Sequence, residues 1–269
     1  MNLTSPSQVK AWCIENEFHP NKVMGQNFLV DRNALVAIVD EGFAFAGGKG
    51  EGLNVLEIGP GLGVLTEEML SRGACVTAIE KDPVLAERLA ASLGTPERLN
   101  VVPADALDWI AREERSFDCM VSNLPYQAGT RMLLELVQRR RIAHMTVLVQ
   151  TEVAERLAAK EGSKTRGLAG VWAQLDYDVR IARKVAASCF WPRPEIGSSV
   201  VTLTRHDRNI AFSEEERDLF RRLTKRAFEH RRKQLGSVFK DLIKSSARAE
   251  ELSNEDWTNL VKGLMNENA

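Results

Sequence analysis

Cysteine is sparse in this 269-residue chain, and the four present, Cys13, Cys75, Cys119 and Cys189, lie far apart with no CxxC pair. No histidine stands near enough in sequence to complete a zinc site, so no metal is expected and buried free thiols are the default. Long apolar runs are missing as well, which excludes a membrane-spanning helix. The N-terminus lacks the basic segment followed by an apolar one that marks a secretory signal. A cytoplasmic protein with no membrane partner is therefore expected. A strong charge of either sign is also lacking: 36 Lys and Arg against 37 Asp and Glu leave a net charge of −1. The whole-chain balance gives no pointer to nucleic acid, and any such partner must be argued from local clusters. What remains, 44% hydrophobic and 27% charged residues, describes a soluble globular chain long enough for one large domain, or a large and a small one.

The organising stretch is Asn54 to Thr66, NVLEIGPGLGVLT. A short aliphatic run ends in Gly59, Gly61 and Gly63, and Leu62, Leu65 and Met69 then recur at helical spacing, which predicts strand, glycine turn and helix. Glycines there let the main chain approach a ligand and expose N–H groups at a helix start, although such a turn also serves simply to pack a helix on a sheet. The next strand-like run, from Cys75, ends in Glu80, about 20 residues on, where doubly wound folds place a carboxylate that accepts from ribose hydroxyls.

Five further strands are predicted at Leu99–Val102, Phe117–Ser122, Met145–Gln150, Val179–Val185 and Val200–Thr204, with helical patterns at Arg131–Arg139 and Glu152–Lys160. This alternation implies a mostly parallel sheet covered on both faces, with ligands at the carboxyl ends of its strands. Gly59, Glu80, Asp105 and Asn123 all fall at such ends. Helix starts are read at Ser5-Pro6 with Gln8 placed for a capping box, at Asp31, at Asp82-Pro83 and at the Ser213–Glu216 capping box. The Gln26-Asn27-Phe28-Leu29 stretch reads as a loop closing over a ligand, or as a plain connector. Asp105-Ala106 suits an adenine edge, which meets a carboxylate and a main-chain N–H there; the alternative is a cap on the turn before Trp109.

Asn123-Leu124-Pro125-Tyr126 is the most informative tetrad. Pro125 biases Leu124 away from helix and leaves its carbonyl free, and the Asn123 side chain supplies a second acceptor. Two acceptors aimed at one exocyclic amine suit adenine N6, and Tyr126 offers a face for a base taken out of its helix. The competing reading is an asparagine capping a tight turn beside a packed tyrosine. After Arg205 the pattern turns wholly helical, giving expected domains of 1–205 and 206–269. Between Arg217 and Lys233 eight basic residues face two acidic ones, Asp218 and Glu229. This is either a solvated helix face or a phosphate-contacting surface.

In order, Gly25-Gln26-Asn27-Phe28-Leu29, Glu57-Ile58-Gly59-Pro60-Gly61-Leu62-Gly63, Glu80, Asp105-Ala106, Asn123-Leu124-Pro125-Tyr126, Glu152 to Arg156, and Phe190-Trp191-Pro192-Arg193-Pro194 resemble the ribosomal RNA adenine dimethyltransferases, most closely the KsgA-type small-subunit enzymes. The resemblance runs from about Val23 to Lys233. It implies a seven-stranded Rossmann-like α/β methyltransferase domain with a small C-terminal helical domain, S-adenosylmethionine as methyl donor, and a monomer acting on a partly assembled small ribosomal subunit. It also implies the substrate, two adjacent adenosines near the 3′ end of small-subunit rRNA.

By the same resemblance Gln26, Asn27 and Leu29 border the methionine part of the cofactor, Gly59 and Gly61 lie against it, Glu80 binds the ribose, and Asp105 with Ala106 binds the adenine. Asn123 and Leu124 hold the target amine, with Pro125 shaping the turn and Tyr126 and Phe190 stacking on the base. Phe190 has core packing as its alternative. Arg221, Arg222, Lys225, Arg226, Arg231, Arg232 and Lys233 correspond to the family's RNA-facing helix. The chain departs from the family at Ile196-Gly197-Ser198, where valine, aspartate and serine are usual. A large-subunit enzyme of the resistance type, which usually has isoleucine where Leu124 stands, and a non-catalytic assembly factor of the same fold are the alternatives.

Overall fold

The computed structural model describes residues 1–21, 25–93, 97–209 and 211–266; the start of the resemblance, at residues 22–24, lies outside them. The strands are β1 (Phe28–Leu29), β2 (Asn54–Ile58), β3 (Cys75–Glu80), β4 (Leu99–Pro103), β5 (Phe117–Asn123), β6 (Ile142–Gln150), β7 (Tyr177–Val185), β8 (Phe190–Trp191) and β9 (Ser198–Arg205). The helices are α1 (Pro6–Glu15), α2 (Arg32–Phe43), α3 (Val64–Ser71), α4 (Pro83–Ser92), α5 (Ala106–Arg112), α6 (Gly129–Arg139), α7 (Thr151–Ala158), α8 (Leu168–Asp176), α9 (Glu214–Glu229), α10 (Leu235–Phe239) and α11 (Asn254–Asn266).

All seven expected strands join one sheet of order β4-β3-β2-β5-β6-β9-β7. The pairs β2–β3, β2–β5, β3–β4 and β5–β6 are parallel and β9 runs antiparallel to β6. Alternate residues serve opposite faces. Val55, Val76, Ala78, Cys119 and Val121 join one core with Ile38 and Val39 of α2 and Leu65 and Met69 of α3. Leu56, Ile58, Ile79 and Met120, their neighbours in sequence, are equally buried outside that core. Burial on both faces is what near-continuous aliphatic strands require. The strand order reverses between β2 and β5, which places the expected ligand crevice at their carboxyl ends.

Helix starts follow local chemistry. The Asp31 carboxylate accepts from the Ala34 N–H at 2.8 Å, Asp82 accepts from Val84 and Leu85, and Ser213 with Glu216 forms the full capping box. The first helix departs from expectation. Pro6 opens α1, but no capping box forms: Ser5 Oγ pairs with Ser7 Oγ, and the Gln8 amide oxygen accepts from the Asn2 N–H at 2.8 Å.

The chain divides into two compact units, Met1–Ala154 with Arg180–Arg205, and Glu155–Val179 with His206–Ala269. The expected boundary after residue 205 is one of these divisions, but 155–179 belongs to the second unit. The cause is packing: Val171 and Leu175 of α8 are buried in one core with Phe220, Leu223, Trp257 and Val261. That core also holds a charge pair. Arg217 is 3% exposed and donates to the Asp176 carboxylate at 2.6 Å and to the carbonyls of Phe212 and Asn209. With each of its three nitrogens bonded, losing one partner of this buried pair costs about 3–5 kcal/mol.

Candidate active site

At the reversal point β2 and β5 separate. Their ladder pairs Val55 with Cys119 and Leu56 with Met120, and beyond these the Ile58 N–H donates to the Ser122 hydroxyl at 2.9 Å. A side chain thus replaces a ladder bond, and the strands open into a cavity of about 410 Å³. Gly59, Gly61 and Gly63 take positive φ values of 68°, 58° and 91°. This is a left-handed turn that side-chain-bearing residues resist. At Gly61 close approach adds a second reason, because a Cβ there would stand 3.1 Å from the Phe28 ring.

The structure brings together on this cavity the eight positions expected to hold a cofactor, Gln26, Asn27, Leu29, Gly59, Gly61, Glu80, Asp105 and Ala106, and with them Asn123, expected at the junction of cofactor and target amine. Glu80 accepts from the Gly61 N–H at 3.0 Å and the Asp82 N–H at 2.8 Å, so its carboxylate is locked across the turn. Burial still pushes its pKa above the ordinary carboxylate range. Gln26 donates to Asp82 at 3.0 Å, tying the loop to the same corner. Asp105 takes up its alternative reading as a cap, one oxygen accepting from Leu107 at 2.9 Å at the start of α5, while the other meets Lys81 Nζ at 2.8 Å. The ammonium holds the Asp105 carboxyl below its ordinary pKa.

Of the tetrad, Asn123 and Pro125 line the cavity. The Asn123 Nδ2 donates to the carbonyl of Asn27 at 3.1 Å. A carbonyl only accepts, so the amide nitrogen must face it and Oδ1 becomes the free acceptor. Leu124 donates its N–H to the Leu148 carbonyl at 3.1 Å; among the described residues its own carbonyl accepts nothing. Tyr126 is half-buried and its hydroxyl pairs with Ser198 Oγ at 2.7 Å. Phe190 is placed elsewhere. It is 3% exposed in the main core, paired across the β1–β8 ladder with Leu29. Its alternative reading as core packing describes where it sits, and it offers no open face to a base.

Glu57, Ser198 and Gly129 were not assigned roles by the sequence. Glu57 lines the cavity at 1% exposure and accepts from Thr66 Oγ1 at 2.6 Å. Burial pushes its pKa to about 8, with the nearby Glu80 charge adding to the rise. A carboxylate in the middle of an aliphatic strand was the available signal. Ser198 anchors Tyr126 from the segment that departs from the family pattern. Gly197 there contributes a carbonyl that accepts from Thr151 N and Oγ1 at 3.1 and 3.0 Å. Gly129 opens α6, and a Cβ there would come 2.8 Å from Leu124 Cβ. Only glycine lets the helix start press against the tetrad. Among the described residues no group of histidine, cysteine or carboxylate side chains is arranged to hold a metal ion.

In the second unit the expected RNA-facing residues separate into two sets. Arg221 pairs with Asp218, Arg226 lies over the Phe239 ring, and Arg231 donates to the Lys164 carbonyl and approaches Glu250 at 3.6 Å. Arg222, Lys225, Arg232 and Lys233 are exposed, and among the described residues none has a carboxylate partner. One expectation needs correction: α9 ends at Glu229, so Arg231, Arg232 and Lys233 lie in the turn beyond it and not on a helix. The cause is local, since the His230 N–H bonds back to the Ala227 carbonyl and the Lys233 N–H to that of His230.

A model of the ribosomal RNA adenine dimethylase family matches residues 17–266. The chain is 44% identical over 205 residues to a ribosomal RNA small subunit methyltransferase A of Deinococcus radiodurans, covering 75% of this chain and 67% of that one. It is 36% identical over 247 residues to the protein of the same name from Chlamydia felis, covering 90% and 84%. Among solved structures, a dimethyladenosine transferase from Plasmodium falciparum superposes with a TM-score of 0.74 at 21% identity, covering 86% of this chain and 96% of that one. The 23S rRNA methyltransferase ErmE gives 0.67 at 22%, covering 89% and 100%. These last two establish a shared fold.

Proposed function

The chain belongs to the ribosomal RNA adenine dimethylase family, and from that premise we propose that it transfers methyl groups from S-adenosylmethionine to N6 of two adjacent adenosines near the 3′ end of small-subunit rRNA. The products are N6,N6-dimethyladenosines, formed while the small subunit is being assembled. The observation that carries this reading is the fixed Asn123 amide, its free oxygen at the edge of a cavity lined by Glu57, Glu80 and Asp105.

The cavity residues fit such a donor. The Glu80 and Asp105 carboxylates against the single ammonium of Lys81 favour a ligand bearing positive charge, Glu57 being largely protonated at neutral pH with its pKa near 8; Glu80 keeps lone pairs for ribose hydroxyls, and Ala106 with Asp105 presents a small apolar wall beside an acceptor. S-adenosylmethionine supplies an electrophilic methyl group when bound. The protein's own part is positional. The Asn123 Oδ1 and the Leu124 carbonyl accept the two N6 hydrogens of the target adenine, which directs the nitrogen lone pair toward the cavity. Tyr126, steadied by Ser198, gives the flipped base a stacking face. The amine proton turns acidic once the methyl is attached, so no strong general base is needed. Arg222, Lys225, Arg232 and Lys233 supply phosphate contacts. Phe190, buried in the core, receives no stacking role.

The test is methyl transfer from labelled S-adenosylmethionine to under-methylated small subunits, with large subunits and naked rRNA in parallel, followed by mass mapping. Dimethyladenosine at two adjacent small-subunit positions is expected. Label confined to large-subunit RNA, or none anywhere with the cofactor still bound, would overturn the reading.

A further inference from the structure

The rim of the sheet opposite the cavity carries a cationic surface that the reaction does not use. Helix α6 ends in Arg139, Arg140 caps it, and Arg141 leads into β6; Arg205 closes β9 on the same rim. The Arg205 guanidinium donates to the Arg140 carbonyl, Arg139 donates to the Ala111 carbonyl at 2.9 Å, and Arg141 to that of Glu113 at 3.3 Å. Among the described residues none of the four meets a carboxylate, whereas Arg72, Arg115 and Arg180 of the same unit all do. A guanidinium carries five N–H donors, so the single carbonyl bonds of Arg141 and Arg205 leave most of their donors uncommitted, whereas Arg139 buries its Nε.

Two further features mark this surface as more than a solvated edge. Arg140 has φ of 55°, the left-handed helix-cap position where glycine is the favoured residue; a long cation is held there against backbone preference. On the α2 face of the same rim Phe45, 42% exposed, stacks on His144 with centroids 4.1 Å apart and planes 8° from parallel. His144 pairs across the sheet with Thr204, next to Arg205. Burial and the Arg205 charge lower the His144 pKa, so this aromatic pair is neutral at pH 7. Guanidinium forks on one face of the rim and an exposed aromatic on the other match a sugar–phosphate backbone that wraps the edge with an accessible base.

We propose that this rim is a second rRNA-contacting surface, with Arg140, Arg141 and Arg205 on phosphates and Phe45 against a base or ribose. The proposal rests on the rRNA methyltransferase reading above. Six residue steps along β5 separate the rim from Asn123, roughly 20 Å at about 3.3 Å per step, so the two surfaces grip separate parts of one folded RNA particle.

Binding of the full chain to under-methylated small subunits, followed from about 50 to 200 mM salt, tests it. An Arg141→Gln/Arg205→Gln variant should bind about tenfold more weakly with a salt slope lower by about two, while binding S-adenosylmethionine as the parent does. An Arg140→Gly variant should melt at a higher temperature yet bind subunits less tightly, a combination that a purely structural arginine does not give. It also keeps the test decisive should the double variant fail to fold. Unchanged affinity and slope in folded variants would overturn the second surface alone. A parent chain that does not bind small subunits at all would overturn the functional reading, and this surface with it.

Discussion

The cavity rim around Glu80, Asp105 and Asn123 differs from the cationic surface around Arg222 and Arg232 in how its polar groups are held. On the rim each group is already bonded: Glu80 to two main-chain N–H groups, Asp105 to a helix start and Lys81, Asn123 to a carbonyl. On the cationic surface Arg222, Lys225, Arg232 and Lys233 are exposed, and among the described residues no carboxylate fixes them. Preorganised groups act through geometry, and a shift of about 1 Å is enough to lose most of their effect. Unfixed cations act through charge, which tolerates displacement and is screened by salt.

Substitutions that remove geometry should therefore be more damaging than those that reverse charge. Asn123→Ala removes the oriented acceptor and is expected to lower the methyl-transfer rate at least about 100-fold, by analogy with loss of one oriented transition-state contact. Cofactor affinity, read by calorimetry, should change little. Turnover near the parent's would end the assignment of Asn123 to the target amine. Reversal at Arg222 and Arg232 should act more gently: weaker binding to small subunits, with the slope of log affinity against log salt falling by about one per lost phosphate contact, and cofactor binding unaltered. A loss of affinity that does not vary with salt would mean these residues are held by geometry after all, and the contrast between the two regions would fail.

The same contrast explains what could be read from the chain. The seven strands, the glycine turn and the caps at Asp31, Asp82 and Ser213 are local patterns, and local patterns are written in adjacent residues. The cleft is not local: it opens because Ser122 replaces a ladder bond to Ile58, 64 residues away in sequence. Arg217 looked like one more member of a basic run, since its partner Asp176 stands 41 residues earlier. Helix α8 was hidden for a different reason. Its apolar residues are spread around the helix with Gly170 among them, whose missing Cβ leaves room for the Arg156 carbonyl, so no periodic stripe announced it. Phe190 shows the limit of motif reading. A motif places a residue near a site, and only the packing around Phe190, 3% exposed in the main core, shows that its side chain belongs to the core.

The smallest expected effect concerns Glu57, which belongs to the rim yet is held by burial more than by partners. Its pKa stands near 8, above the ordinary value of 4.5, so the folded chain binds this proton more tightly than the unfolded chain does. The resulting stabilisation is complete below about pH 4.5 and is lost as pH rises through about 8. Glu57→Gln cannot ionise and still offers Thr66 an acceptor. The difference in melting temperature, variant minus parent, should therefore grow from about pH 5 to about pH 8.5 in the cofactor-free protein. A difference that stays constant across that window would show that Glu57 is ionised throughout. The buried carboxylate would then have to be stabilised in place, as Glu80 and Asp105 are, and the rim would be uniform where the present geometry makes it divided.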